Sequence, residues 1–399
     1  MEGKKKIRIV FAGGGTGGHI YPGIAVADEL KRLAADRGLA LDVCWIGNSA
    51  GMDRDIVAKN LVSCGGSISE FYGIPSGKLR RYFSVQNFLD LFKIAAGFFK
   101  SLVLLARLRP DCLFSKGGFV SVPPCLSARI LHIPFYTHEC DFTPGLATRL
   151  NARGAAKILL SYAETASCFK GLPDGKCLVT GNPVRPVFYA GDGDAGAGAE
   201  AGRLFLGIGP GPHKPILLVL GGSLGAKQVN ELVLENLAWL TERCIVVHQT
   251  GRAFAEEHPE LMQGRDGYRP YPFIYAEMPS VIQAADIVLS RSGANSIWEC
   301  AVCRKPMLLV PLSGSGTRGD QVDNARYFER AGAALVLAGA DADAAHLREA
   351  LESLLDADRR AGMSEAAGKI CGDSRPARTI AQIILDGVYG GADDTTAGN

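Results

Sequence analysis

Short apolar runs alternate with amphipathic stretches along the first half of the chain. Residues 7–12 predict a strand, 22–37 a helix and 41–46 a second strand. Residues 112–114 and 134–137 are further short strands, each opening into a loop with glycine, histidine or glutamate. Such alternation implies parallel strands joined by helical crossovers. The pattern stops at residues 190–202, AGDGDAGAGAEAG, which read as a flexible insertion near a domain boundary. It restarts after Pro215, with strands over 216–220, 245–248, 287–289 and 307–310 and helices over 278–285, 294–302 and onward from Gln321. The expected fold class is α/β: two doubly wound halves facing across a cleft. Ligands of open α/β sheets bind at the carboxyl ends of the strands.

Composition changes this picture little. The chain has 399 residues, 47% hydrophobic and 21% charged, with a formal net charge of +2, so its overall field does not point to nucleic acid. Eleven scattered cysteines give no disulfide framework, and the single C-x-x-C, Cys300 to Cys303, falls in a predicted helix. Buried thiols in a reducing compartment are the simpler reading. After Lys4-Lys5-Lys6 the apolar run is only six residues long, too short for a secretory segment of ~7–15. No stretch approaches the ~20 apolar residues of a membrane span. The expected place is the cytoplasm.

Three strand-to-helix turns carry the candidate chemistry. The first is Gly13-Gly14-Gly15-Thr16-Gly17-Gly18-His19, after the first strand. Gly13, Gly15 and Gly18 satisfy G-x-G-x-x-G, where backbone N–H groups and a helix start can meet a phosphate. A dinucleotide oxidoreductase would also need an acid at the end of the second strand, but Val43–Ile46 run into Gly47-Asn48. The second turn is Gly221-Gly222-Ser223-Leu224-Gly225-Ala226, and the third Ser290-Arg291-Ser292-Gly293-Ala294-Asn295. Each could be an ordinary tight turn; three in register suggest a phosphate-bearing donor. Glu299, six residues past Gly293, can accept from both hydroxyls of a ribose or be a solvated helix residue.

These segments together resemble the undecaprenyldiphospho-muramoylpentapeptide β-N-acetylglucosaminyltransferases. The matching pieces, in order, are GGGTGGHIYPGIAVADEL (13–30), FSKGGFVSVP (114–123), HECDFTPGL (138–146), GNPVR (181–185), LVLGGSLGAKQVN (218–230), HQTG (248–251), SRSGANSIWE (290–299) and RGDQVDNA (318–325). The resemblance implies the GT-B architecture of two Rossmann-like domains. It places an acceptor- and membrane-facing domain over 1–184, with a C-terminal helix at about 375–390 packing back onto it, and a UDP-N-acetylglucosamine-binding domain over 185–374. It further implies inverting transfer onto undecaprenyl-diphospho-N-acetylmuramoyl-pentapeptide, with no cofactor and no metal in the donor site. The D-x-D pairs Asp192/Asp194 and Asp341/Asp343 follow no predicted strand.

Carried over by motif, Ser223 and Arg185 meet the diphosphate, Ala294 and its neighbours offer N–H groups, Glu299 holds the ribose and Gln321 reads sugar hydroxyls. Uracil is expected by Phe273-Ile274-Tyr275, where backbone groups read its edge, with Ile274 and Tyr275 as the contacts. On the acceptor side, Thr16, Gly17 and Gly18 are candidate contacts and His19 is the candidate base. Histidine titrates in the right range to take a proton from an attacking hydroxyl. Glu139 and Asp141 are the alternative bases, and a loop-capping role for His19 is the plainer alternative. The chain departs from the commoner family form at Phe119, Cys140, Asp141, Leu224 and Asp320.

A diacylglycerol glycosyltransferase would share the donor loops and differ on the acceptor side. A non-catalytic sugar-nucleotide scaffold should have lost His19 or Glu299. Residues 73–109 carry seven basic residues against one acid, Asp90, interleaved with Tyr82, Phe83, Phe88, Phe92, Phe98 and Phe99. This composition suits docking on an anionic membrane surface, at the inner face of the cell membrane, or an ordinary helix packing its phenylalanines inward.

Overall fold

The computed structural model describes residues 6–77, 85–189, 196–221, 225–314 and 317–393. It divides into two compact units, Met1–Arg185 with Ser374–Asn399, and Pro186–Asp373.

In the first unit the strands are β1 (Lys6–Ala12), β2 (Ala40–Asn48), β3 (Glu70–Ile74), β4 (Cys112–Ser115), β5 (Phe135–Glu139), β6 (Lys157–Leu160) and β7 (Cys177–Val179). Between them run α1 (Gly17–Asp36), α2 (Asp53–Ala58), α3 (Val85–Leu108), α4 (Val122–Ile130) and α5 (Leu146–Ala152). The seven strands pair in parallel in the order β3-β2-β1-β4-β5-β6-β7. A sheet covered on both faces needs apolar residues on both, and β1 shows why its run is continuous. Ile7, Ile9 and Phe11 enter one core and Val10 and Ala12 the other. Phe11 stacks on Trp45 at 5.6 Å and meets Phe114 edge-on at 5.1 Å.

The second unit has β8 (Ile216–Leu220), β9 (Ile245–Gln249), β10 (Tyr268–Tyr271), β11 (Ile287–Ser290), β12 (Met307–Leu309) and β13 (Ala334–Val336). Its helices are α6 (Ala197–Phe205), α7 (Lys227–Glu235), α8 (Leu237–Arg243), α9 (Arg252–Glu257), α10 (Met278–Ala284), α11 (Ala294–Val302), α12 (Asp320–Arg330), α13 (Ala344–Leu354) and α14 (Ala357–Cys371). The sheet order is β10-β9-β8-β11-β12-β13, again parallel. The last helix, α15 (Pro376–Asp393), returns to the first unit. Ile380 and Ile384, one helical turn apart, join the core of β1 and α1. Arg378 lies 3.8 Å from Glu29 and Arg37 3.3 Å from Asp386.

The low-complexity segment is not wholly an insertion without structure. Residues 190–195, with Asp192 and Asp194, lie outside the described residues, but 197–205 form α6. Alanine favours helix, and the glycines that suggested flexibility serve close packing. A side chain at Gly198 would strike Gln283, and one at Gly202 would strike Ser280 and Ala284 of α10.

Each sheet has one point where the chain order reverses, between β1 and β4 and between β8 and β11. The loops leaving those four strands open at the carboxyl ends, where such sheets bind ligands. They are the first glycine loop, the Lys116-Gly117-Gly118 turn, the connection that begins at Gly221 and Ser290–Gly293.

Candidate active site

In the first unit Thr16, in extended conformation, precedes α1, and Gly17, Gly18 and His19 make its first turn. The His19 ring packs on the backbone that follows β4. A Cβ at Gly118 would lie 2.7 Å from its Cδ2 and 3.1 Å from its Nε2. Gly117 and Gly118 both have positive φ, 83° and 76°, so glycine is required there twice over. His19 is half-buried, and its N–H bonds the carbonyl of Thr16 at 3.1 Å.

Lys116 and His138 lie beneath these loops, each 1% exposed. His138 Nε2 is 3.0 Å from the carbonyl of Gly181, in the GNPVR segment. Burial, helped by the charge of Lys116, holds the His138 imidazole well below its ordinary range, so it is neutral. Gly181 itself abuts Pro376, at 2.8 Å from a hypothetical Cβ, which ties this segment to the start of α15.

Glu139 ends β5 and is 4% exposed. Its Oε1 accepts the N–H groups of Cys140 and Asp141 at 3.0 and 3.1 Å, and its Oε2 that of Gly145 at 3.0 Å. Three backbone donors on one buried carboxylate make it a clamp on the loop that carries Asp141. Among the described residues, Glu139, Cys140 and Asp141 bring ligand-type atoms within 4.8 Å of one another. The commitment of both Glu139 oxygens to the loop accounts for that proximity without an ion. Arg185 belongs to the first unit, not to the second where the motif reading began it, and its guanidinium lies over the ring of Tyr21 at 5.6 Å.

In the second unit Gly293 caps α11, whose first residue is Ala294, and Glu299 lies half-exposed two turns in. Gln321, at the start of α12, ties two loops together. Its Oε1 accepts the Leu312 N–H at 2.9 Å and its backbone carbonyl accepts the Ser292 hydroxyl at 2.7 Å. Ile274 is buried and its N–H is donated to Gln249 Oε1 at 3.0 Å, while the rings of Phe273 and Tyr275 are exposed beside it. Ser223, with its neighbours Gly222 and Leu224, lies outside the described residues. Asp343 of the second D-x-D pair caps α13 by accepting the N–H of His346 at 2.9 Å.

Two features escaped sequence reading. The HQTG histidine is structural: His248 Nε2 meets Asn230 Oδ1 at 3.0 Å and its Nδ1 meets the Tyr268 hydroxyl at 3.1 Å, wholly buried. Its pairing with Asn230 of QVN, 18 residues away, leaves no local pattern. The other is Asp53, at the start of α2. The acid missing from the end of β2 arrives five residues after Asn48, and it turns inward to the glycine loop. Burial raises its carboxyl above the ordinary range, against the N–H donors that favour the anion.

Comparison with known proteins accords with this geometry. The glycosyltransferase family 28 N-terminal domain matches residues 9–160 and the family 28 C-terminal domain residues 216–382. A UDP-N-acetylglucosamine–N-acetylmuramyl-(pentapeptide) pyrophosphoryl-undecaprenol N-acetylglucosamine transferase of Treponema denticola is 46% identical over 391 residues, covering 94% of this chain and 96% of its own. A Bacillus cereus protein of the same description, numbered 2, is 38% identical over 87% of this chain and 91% of its own. Among solved structures, Acinetobacter baumannii MurG aligns with a TM-score of 0.68 at 23% identity, covering 96% and 99% of the two chains. A Neisseria meningitidis UDP-GlcNAc 2-epimerase bound to UDP-GlcNAc aligns at 0.63 and 16%, over 96% and 100%, a likeness of fold alone. The chain is a GT-B glycosyltransferase and belongs to glycosyltransferase family 28, among the peptidoglycan-precursor N-acetylglucosamine transferases.

Proposed function

We propose that this enzyme moves N-acetylglucosamine from UDP-N-acetylglucosamine to a hydroxyl of undecaprenyl-diphospho-N-acetylmuramoyl-pentapeptide, with inversion at the anomeric carbon. The acceptor oxygen forms the new bond to that carbon as the bond to UDP breaks, and UDP leaves with the electron pair. The observation that carries the assignment of roles is the seating of His19 against Gly118, at the carboxyl ends of β1 and β4. His19 takes the hydroxyl proton from its half-buried place in the first turn of α1. Asp141 is the runner-up base, on a loop that Glu139 holds. Thr16, Gly17 and Gly18 lie beside the acceptor. In the second unit Ala294 and its neighbours face the diphosphate at the start of α11. Glu299 takes the ribose hydroxyls, and Gln321 reads the sugar with its amide N–H₂, since its oxygen serves Leu312. Ser223 and Arg185 are the remaining diphosphate contacts. Uracil sits by Phe273-Ile274-Tyr275, with Ile274 and Tyr275 as its contacts.

No helix among the described residues is long and apolar enough to cross a membrane. The lipid acceptor is reached by docking. Leu91, Phe92, Phe99 and Val103 of α3 and Leu126 and Ile130 of α4 are exposed, flanked by exposed Lys93, Lys100, Arg107 and Arg129. We assign this face to the anionic inner surface of the cell membrane. Turnover of labelled UDP-N-acetylglucosamine with a synthetic muramyl-lipid acceptor tests the reaction. Transfer to diacylglycerol instead, or UDP-sugar binding with no transfer, would overturn it.

A further inference from the structure

The carboxylate of Asp53 sits under the first glycine loop. Its Oδ1 and Oδ2 lie 2.9 and 3.0 Å from the Gly15 nitrogen, and Oδ2 also accepts the Asn48 N–H at 2.8 Å. The residue is 1% exposed. A Cβ at Gly14 would fall on Asp53, whose side-chain atoms are the three nearest it would meet. The same loop is held at its entry by Trp45, whose Nε1 donates to the Gly13 carbonyl at 3.0 Å, and by the Gly13 N–H on the Ile46 carbonyl at 3.3 Å. Glycine loops of this kind ordinarily turn N–H groups toward a ligand phosphate. Here the Gly15 N–H already has an anion, and the anion is the protein's own.

We propose that Asp53 is a positioning residue for transfer. It is the built-in counter-anion of the first glycine loop, and it sets the backbone from which Thr16–His19 open α1. The loop is thereby formed before any substrate arrives, and the Gly15 N–H is withdrawn from ligand binding. Pre-organisation of this kind acts on the rate, because a misplaced base costs more than a weakened contact. The inference rests on the proposed transfer reaction where it is read as turnover.

The test uses the full chain in four forms: Asp53→Asn, Asp53→Ala, Gly14→Ala and the Gly14→Ala/Asp53→Ala pair. An asparagine keeps one acceptor oxygen but turns an N–H₂ toward a backbone donor. With UDP-N-acetylglucosamine and a soluble muramyl-lipid analogue, Asp53→Asn and Asp53→Ala should each lower kcat at least tenfold. The donor KM should stay within twofold. Gly14→Ala should cost a similar factor alone but less than twofold on top of Asp53→Ala, because its effect runs through the collision with the carboxylate. A merely structural role would lower melting temperature, leave kcat of the folded protein unchanged and give additive factors. The imidazole resonances of His19, assigned with His19→Gln, supply a reading that needs no substrate. They should move in Asp53→Asn and in Gly14→Ala, so this measurement stands or falls apart from the identity of the reaction. Unmoved His19 resonances, kcat within threefold for the Asp53 variants, or equal Gly14→Ala factors in both backgrounds would overturn the proposal. Should Asp53→Ala fail to fold, Asp53→Asn decides by the same bounds.

Discussion

Glu139 grips Gly145 across its own loop, accepting that residue's N–H at 3.0 Å through Oε2 while Oε1 serves Cys140 and Asp141. Removing such a buried acceptor strands three donors. Glu139→Ala should therefore destabilise the first unit by about 1–3 kcal/mol, a drop of several degrees in Tm. Glu139→Gln should lose less stability. If Glu139 were instead the base, Glu139→Gln would abolish turnover with Tm unchanged, and calorimetry beside kinetics separates the two.

His19→Ala should lower kcat by ~10²–10⁴, the range for a general base, with donor KM little altered. The replacement also empties the surface of Gly118. Turnover within a few-fold of the parent would move the role to Asp141, and Asp141→Asn is the variant to measure next.

Much of this arrangement is legible in the chain because β1 and β8 run straight into glycine and β4 and β11 end on serine. The loop motifs therefore mark the carboxyl ends of the central strands. Residues 197–205 were not, because Gly198 and Gly202 look flexible until α10 is seen against them. Nor was Asp53: Gly15, the distant one of its two partners, is brought to it only by the pairing of β1 with β2. Ile274 shows a third kind of miss. The segment was found by motif, but its N–H is spent on Gln249, a commitment that no local pattern displays.

Glu299→Ala should raise the donor KM roughly ten- to a hundredfold, the cost of losing a charged hydrogen-bond acceptor of ~1.5–3 kcal/mol. Acceptor KM should stay put. An unchanged donor KM in a folded variant would remove the ribose role.

Acid should weaken the fold through its buried imidazoles. Burial pushes His248 down to about 3 from an ordinary 6.5, and His138 is lowered in the same direction. Above pH 6.5 both states leave these groups neutral and nothing is lost. Below it the unfolded chain binds protons that the native state refuses, so stability falls as pH drops from 6.5 toward about 3. Each unit in that window removes up to about 1.4 kcal/mol per histidine. Urea midpoints measured between pH 7 and 4 should decline, and His248→Gln should flatten the slope. A parallel decline in that variant would show that His248 is not a source of it.

The docking face yields the last prediction. Tyr82, Phe83, Arg80 and Arg81 of this segment lie outside the described residues, and so does the side chain of Phe88, and the test rests on described positions. Phe92 and Phe99 are 60% and 63% exposed on α3. A helix packed wholly inward would hide them. α3 is instead buried along another line: Leu105 and Ser101 are enclosed, and the Ser127 hydroxyl of α4 donates to the Phe98 carbonyl at 3.2 Å. The face turned out is thus apolar with cations beside it, the composition that suits the headgroup boundary. Phe92→Ser with Phe99→Ser removes exposed surface and should cost the fold little. The pair should release the protein from vesicles containing anionic lipid, while Lys93→Gln with Lys100→Gln should weaken binding by ~1 kcal/mol per charge. Transfer to a long-chain lipid acceptor should fall at least tenfold in the phenylalanine variant, and transfer to a short, water-soluble one should be spared. Vesicle binding equal to the parent's, or equal loss of both transfers with Tm unchanged, would assign this face to something other than the membrane.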